Sequence, residues 1–198
     1  MAAVPVTPDV GARSDRRPSM LAVGTTVWLA SELMFFAGLF ASYFTIRAAD
    51  TPKSWPGTVI KLATGRDLGF TVLLVLSSFT MQYAVHHLDR DARTAAVRWV
   101  AATLVLGTAF LANQLVEWTQ VPFRPSTSAY GSLFFVMTGF HGLHVLLGLV
   151  AMIGLLVRMA GAGHEDRGVA PVAEVITYYW HFVDVVWIGL FVTLFFIR

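Results

Sequence analysis

Tyr178-Tyr179-Trp180-His181-Phe182-Val183-Asp184-Val185-Val186-Trp187 is the stretch that decides how this chain folds. It lies inside an apolar run long enough to cross a bilayer, yet it carries a histidine and an aspartate. A charged side chain in hydrocarbon costs about 2.5–3.5 kcal/mol on insertion scales unless it is neutralised, paired or turned toward protein. The run must therefore pack against polar groups of other helices rather than stand alone in lipid.

The rest of the chain supplies those helices. Of 198 residues, 56% are hydrophobic and 13% are charged, and the mean hydropathy is +0.66. The charged share is about half that of a soluble domain. Five apolar runs stand out, at about 20–46, 68–88, 99–118, 130–157 and 175–197. Each reaches the ~20 residues that cross ~30 Å of hydrocarbon at 1.5 Å per residue. Backbone polar groups in lipid have to be satisfied within their own segment, which makes every run a helix. The expected fold is all-α: a polytopic membrane bundle of five transmembrane helices, forming one domain over residues 20–198. The first and fourth runs are long enough to tilt or to project from the membrane.

Residues 1–19 form a polar tail with Pro5, Pro8, Pro18, Arg13, Arg16 and Arg17. The run behind it is longer than a signal-peptide core and has no convincing cleavage site, so it is expected to be a retained first span behind a disordered tail. Pro52, Pro56 and Gly57 break the first linker, Pro122 and Pro125 the third, and Gly161, Gly163, Gly168 and Pro171 the fourth. There is no internal repeat. Eight Lys/Arg fall on the N-terminal side of the membrane and six on the other, which places the N-terminus in the cytoplasm. The net charge of +2 belongs to those loops. No basic cluster with interleaved aromatics suggests nucleic acid. With no cysteine in the chain, disulfides, thiolate zinc sites, iron–sulfur clusters and cysteine-bound haem are excluded.

Polar residues inside the spans are the candidate site. Glu32 lies about twelve residues into the first run, ~18 Å from its start. His141 and Asp184 are expected at similar depth, with His144 and His181 nearer the cytoplasm. His141 and His144 share one helix face, as do His181 and Asp184. These five are expected to turn inward, with Glu32 paired to His141 or His144. Two readings stay open: interhelical hydrogen bonds that fix packing, favoured for His181 and Asp184, and a proton-storing or proton-moving acid, which Glu32 suits equally well. The spacing lacks the Glu-x-x-His pairs of di-iron bundles, so no protein-bound metal is expected. A haem between opposed histidines is equally unsupported; His86 and His87 reach the interface and His164 is solvated. Gln114 and Glu117 share a face near the end of the third helix, and Glu117 with Trp118 reads as an interfacial anchor. Trp180 and Trp187 are further candidates for lipid or interface contact. Gly38, Ser42, Gly139, Gly142 and Gly148 permit close helix contacts.

Ser31-Glu32-Leu33-Met34-Phe35-Phe36-Ala37, Gly139-Phe140-His141-Gly142-Leu143-His144-Val145 and Trp180-His181-Phe182-Val183-Asp184-Val185-Val186-Trp187 occur in that order. Together they resemble subunit III of haem–copper oxidases, best the cytochrome c oxidase branch, over residues 20–198. The resemblance implies an accessory subunit that binds no cofactor itself, with haem and copper in partner subunits. It implies packing on oxidase subunits I and II, membrane phospholipids held in a cleft, support of proton uptake during oxygen reduction and proton pumping, and a place in the bacterial plasma membrane, with a larger respiratory supercomplex as a further partner. Glu32 maps to the family's carbodiimide-reactive acid. The chain matches the last five spans of seven-span mitochondrial members, whose lipid cleft lies between their first two helices and the rest. The rivals are subunit III of a quinol oxidase, which often has aspartate at the Glu32 position; an accessory protein of nitric oxide reductase; and a small proton-coupled transporter using Glu32 and Asp184. The transporter reading lacks the expected repeats and broken helices.

Overall fold

A computed structural model of the chain describes residues 20–49, 55, 64–161 and 168–197. The N-terminal tail, Pro52, Pro56 and Gly57 of the first linker, and Gly163 and His164 of the fourth lie outside the described residues. Five helices follow one another: α1 Met20–Ala49, α2 Thr64–Leu88, α3 Arg93–Gln120, α4 Ala129–Gly161 and α5 Val169–Phe191, the last continued by a π-helical turn, Val192–Phe196. All five are long and apolar enough to span a membrane, and no strand occurs among the described residues. Helices α2, α3 and α5 begin four to six residues before their apolar runs. A helix keeps its hydrogen bonds through polar first turns that hydropathy does not register.

Local chemistry sets the boundaries. Asp91 takes a left-handed conformation (φ 56°), which a short polar side chain tolerates. The amides of Arg90, Asp91 and Ala92 donate back to the last carbonyls of α2, and α2 and α3 close into a tight hairpin. α3 ends at Val121, which is extended (ψ 137°) because Pro122 follows it. Ser128 caps α4: its Oγ accepts from the Gly131 amide at 3.0 Å.

α5 is the central helix, packed against α1, α2 and α4. Trp180 and Trp187 are buried in it, not exposed at a membrane interface. Small residues opposite explain this. A Cβ on Gly148 would sit 2.7 Å from the Trp180 ring, and one on Gly107 would sit 2.9 Å from it. Gly107 of α3 and Gly148 of α4 thus form the slot that receives the indole. Its Nε1–H donates to Ser77 Oγ at 2.8 Å, and that of Trp187 to Thr71 Oγ1 at 2.9 Å. Both buried indoles meet the polar partner they need on α2. Gly38 has open space around it, and Gly139 and Gly142 have only ordinary contacts.

At the far end of α5 the last carbonyls lack intrahelical donors. Tyr43 of α1 donates its hydroxyl to Thr193 O at 3.2 Å, and Tyr130 of α4 donates to Leu194 O at 3.0 Å. Trp55 packs edge-on to both tyrosine rings. Helix α1 lies at the edge of the bundle, against α4 and α5; its buried side chains are Thr25, Phe36 and Tyr43.

Candidate functional site

The intramembrane polar residues fall into two seams. In the first, between α1 and α4, Glu32 Oε2 lies 3.1 Å from His144 Nε2. The carboxyl pairs with His144, not with His141. The other ring nitrogen of His144, Nδ1, donates its proton to Phe140 O, 2.7 Å away and one turn back in the same helix. That bond fixes the ring and puts Nε2 toward Glu32. The contact joins α1 to α4 through a carboxyl–imidazole hydrogen bond.

Aromatic rings flank one side of the pair. Phe36 packs edge-on to the His144 ring at 5.1 Å, and Phe35 packs on Phe140 at 5.0 Å. Trp28 stacks on Tyr179 at 5.3 Å, and the Tyr179 hydroxyl donates to the His144 carbonyl at 2.7 Å. α5 thereby braces the turn of α4 that carries the imidazole. The seam is not closed: the Glu32 side chain remains 23% exposed and that of His144 10%, at the edge where α1 faces outward.

His141, one turn away, has a different task. It is fully buried. Its Nε2 is 3.2 Å from the Val183 carbonyl, and its ring lies against Trp187 at 4.8 Å and Phe110 at 5.9 Å. The imidazole donates to the backbone of α5 and fixes the α4–α5 register.

The second seam joins α2 to α5. Asp184 accepts a hydrogen bond from Ser78 Oγ, and His181 Nε2 lies 3.4 Å from Gln82 Oε1. His181 and Asp184 share a face, as their spacing implies, but each takes a partner on α2 instead of forming a carboxylate–imidazole pair. Near the end of α3, Glu117 is 3% exposed and accepts from Gln114 Nε2 at 3.1 Å. It faces α2, not the interface where it was expected as an anchor. Trp118 is half-buried and donates to Thr138 Oγ1 of α4 at 3.2 Å. Among the described residues, no three His, Asp or Glu side chains converge as a metal site would require.

Sequence reasoning missed Ser77, Ser78 and Thr71 of α2, and the Tyr179 hydroxyl that holds the His144 carbonyl. Serines and a threonine in an apolar run carry no signal of their own. They become partners only once α5 is laid beside α2.

A family model described as cytochrome c oxidase subunit III matches residues 11–198. The chain is 45% identical to a probable cytochrome c oxidase subunit 3 of Nocardia farcinica, covering 92% of this chain and 90% of that one. It is 44% identical to cytochrome c oxidase subunit 3 of Corynebacterium diphtheriae, with the same coverage. Cytochrome c oxidase subunit 3 of Thermostichus vulcanus is 36% identical over 90% of this chain and 88% of its own. With its five membrane-spanning-capable helices and a match over nearly its whole length, the chain belongs to the cytochrome c oxidase subunit III family.

Proposed function

We propose that this chain is an accessory subunit, without redox centres of its own, that packs on oxidase subunits I and II in the bacterial plasma membrane. It stabilises the catalytic subunit, holds phospholipid and supports proton uptake, and its N-terminus is cytoplasmic. The oxidase is built into a larger respiratory assembly through the same outer faces. The observation that carries this reading is the Glu32–His144 pair at the outer edge of the α1–α4 seam. A carboxyl and an imidazole that far inside the membrane, with the carboxyl 23% exposed, are costly against hydrocarbon. A neighbouring subunit or an ordered headgroup has to cover them. Around Glu32, α1 also presents Leu33, Met34 and Phe35 outward, an apolar surface suited to a protein or lipid neighbour.

A groove on α2 supports the lipid role. Phe79, Gln82, Tyr83 and His86 line a hollow of about 330 Å³, next to a cavity of about 340 Å³ bordered by Asp89, Glu174 and Tyr178. Both include Gln82. An acyl chain fits the aromatic side, and a headgroup fits the polar end.

The test is removal of this subunit from the oxidase. Initial oxygen reduction should remain largely intact, and inactivation during sustained turnover should come sooner. Immediate loss of haem reduction would contradict an accessory role, as would an unchanged working lifetime.

A further inference from the structure

The seam between α2 and α5 holds an acid that no cation neutralises. Asp184 is 5% exposed. Its Oδ2 accepts from the Ser78 hydroxyl, and its Oδ1 is sealed from solvent without a hydrogen-bond partner. Among the described residues no salt bridge reaches this carboxyl. The titratable groups of the packed helices are engaged elsewhere. Glu32 of α1 holds His144 of α4, His141 of α4 holds the Val183 carbonyl, and Asp67 of α2 accepts from Asn113 at 3.2 Å. His181, one turn from Asp184 on the same face, meets Gln82 instead.

One end of this seam is open. Beside the α2–α3 turn, the cavity of about 340 Å³ bordered by Asp89, Glu174 and Tyr178 reaches inward to Gln82. Gln82 lies ~9 Å along α2 from its end at Leu88, and Ser78 lies one turn deeper, at ~15 Å. Across the seam, one turn of α5 leads from His181 to Asp184. The Gln82–His181 contact at 3.4 Å thus stands between the cavity and the Ser78–Asp184 contact. Deeper still, the buried Trp187 indole donates to the buried Thr71 hydroxyl at 2.9 Å and closes the seam. Asp184 sits at the inner end of a polar file that opens on one side only.

We propose that Asp184 is a proton-binding site: a neutral carboxylic acid that exchanges its proton through the Asp89–Glu174 cavity by way of Gln82 and His181. A bare carboxylate at that depth is costly. A proton on the carboxyl removes the charge and leaves the bond to Ser78 in place. Exchange is ionisation of the acid and its reversal, with the proton leaving and returning on the cavity side. Trp187 and Thr71 block the other side, so the site stores a proton and does not pass it across the membrane. A metal ion fits less well, since hard cations take six or more oxygen ligands and the site offers one carboxyl and one hydroxyl. For its use during oxygen reduction this inference rests on the proton-supporting role proposed above; its geometry does not.

Infrared spectroscopy of the assembled oxidase, moved from water to heavy water at neutral pH, tests this. The native complex should show a protonated-carboxyl C=O band that shifts down on deuteration. Asp184→Asn keeps the shape and an acceptor for Ser78, and should lose that band. Asp184→Glu should retain a displaced band, so it reads the site even where the asparagine variant fails to assemble. Gln82→Leu should keep the band and slow its deuteration. Two results would overturn the proposal: no carboxyl band lost or moved by either substitution of Asp184, or deuteration as fast in Gln82→Leu as in the native complex. An Asp184→Asn oxidase that loses the band yet inactivates no sooner during turnover would leave the site standing and count against the proton-supporting role alone.

Discussion

Breaking the Glu32–His144 contact one partner at a time, and then both together, measures what the seam is worth. At 3.1 Å, a full ion pair gains about 5 kcal/mol before desolvation at an effective dielectric of 20. Most of that is offset, because both groups are drawn away from water to make the contact. Side-chain hydrogen bonds between membrane helices measure about 0.6 kcal/mol on average and about 1.7 at most. Low exposure and the fixed ring of His144 place this pair near the upper end, at a coupling of about 1–1.5 kcal/mol. Glu32→Gln and His144→Gln should each destabilise the assembled complex by about 1–2 kcal/mol. The double variant should be little worse than either single one. The assay is a denaturation series on the purified oxidase, following release of this subunit, with initial oxygen consumption recorded alongside. Oxygen consumption should change little in the first turnovers. Losses that add within about 0.5 kcal/mol would show that the two groups act independently, and the seam would not be the unit described.

Two other substitutions probe the packing around α5. Gly148→Ala places a methyl group 2.7 Å from the Trp180 ring and should destabilise by about 1–3 kcal/mol, whereas Gly142→Ala, whose new methyl would meet Leu111 at 3.6 Å, should be near neutral in the same thermal-melting experiment. Ser78→Ala removes the donor to Asp184 and should cost about 1–3 kcal/mol; in the same melting experiment, a loss below about 0.5 kcal/mol would mean that Asp184 has another partner.

How far the chain could be read in advance depended on whether a feature was local. The five spans are local, since each is a run of apolar residues, and all five are present. The partner of Glu32 was narrowed to two histidines and no further, because His141 and His144 lie on one face and differ only in how α4 is rotated. Packing of Trp187 and Phe110 around His141 makes that choice, and all three residues lie far apart in sequence. Trp180 and Trp187 were expected near lipid because tryptophan often sits there. Their burial depends on slots and hydroxyl acceptors contributed by α2, α3 and α4. Asp67 escaped notice because the apolar run begins at Leu68, while the helix begins at Thr64. Its meeting with Asn113 exists only once the α2–α3 hairpin has closed.

The most direct measurement is the absorption spectrum and subunit content of the complex recovered through a tag on this chain under native conditions. The chain should emerge with haem-bearing partners in fixed proportion and, once stripped from them, should carry no visible absorption. Recovery of the chain alone, or of pigment bound to the isolated polypeptide, would contradict the account.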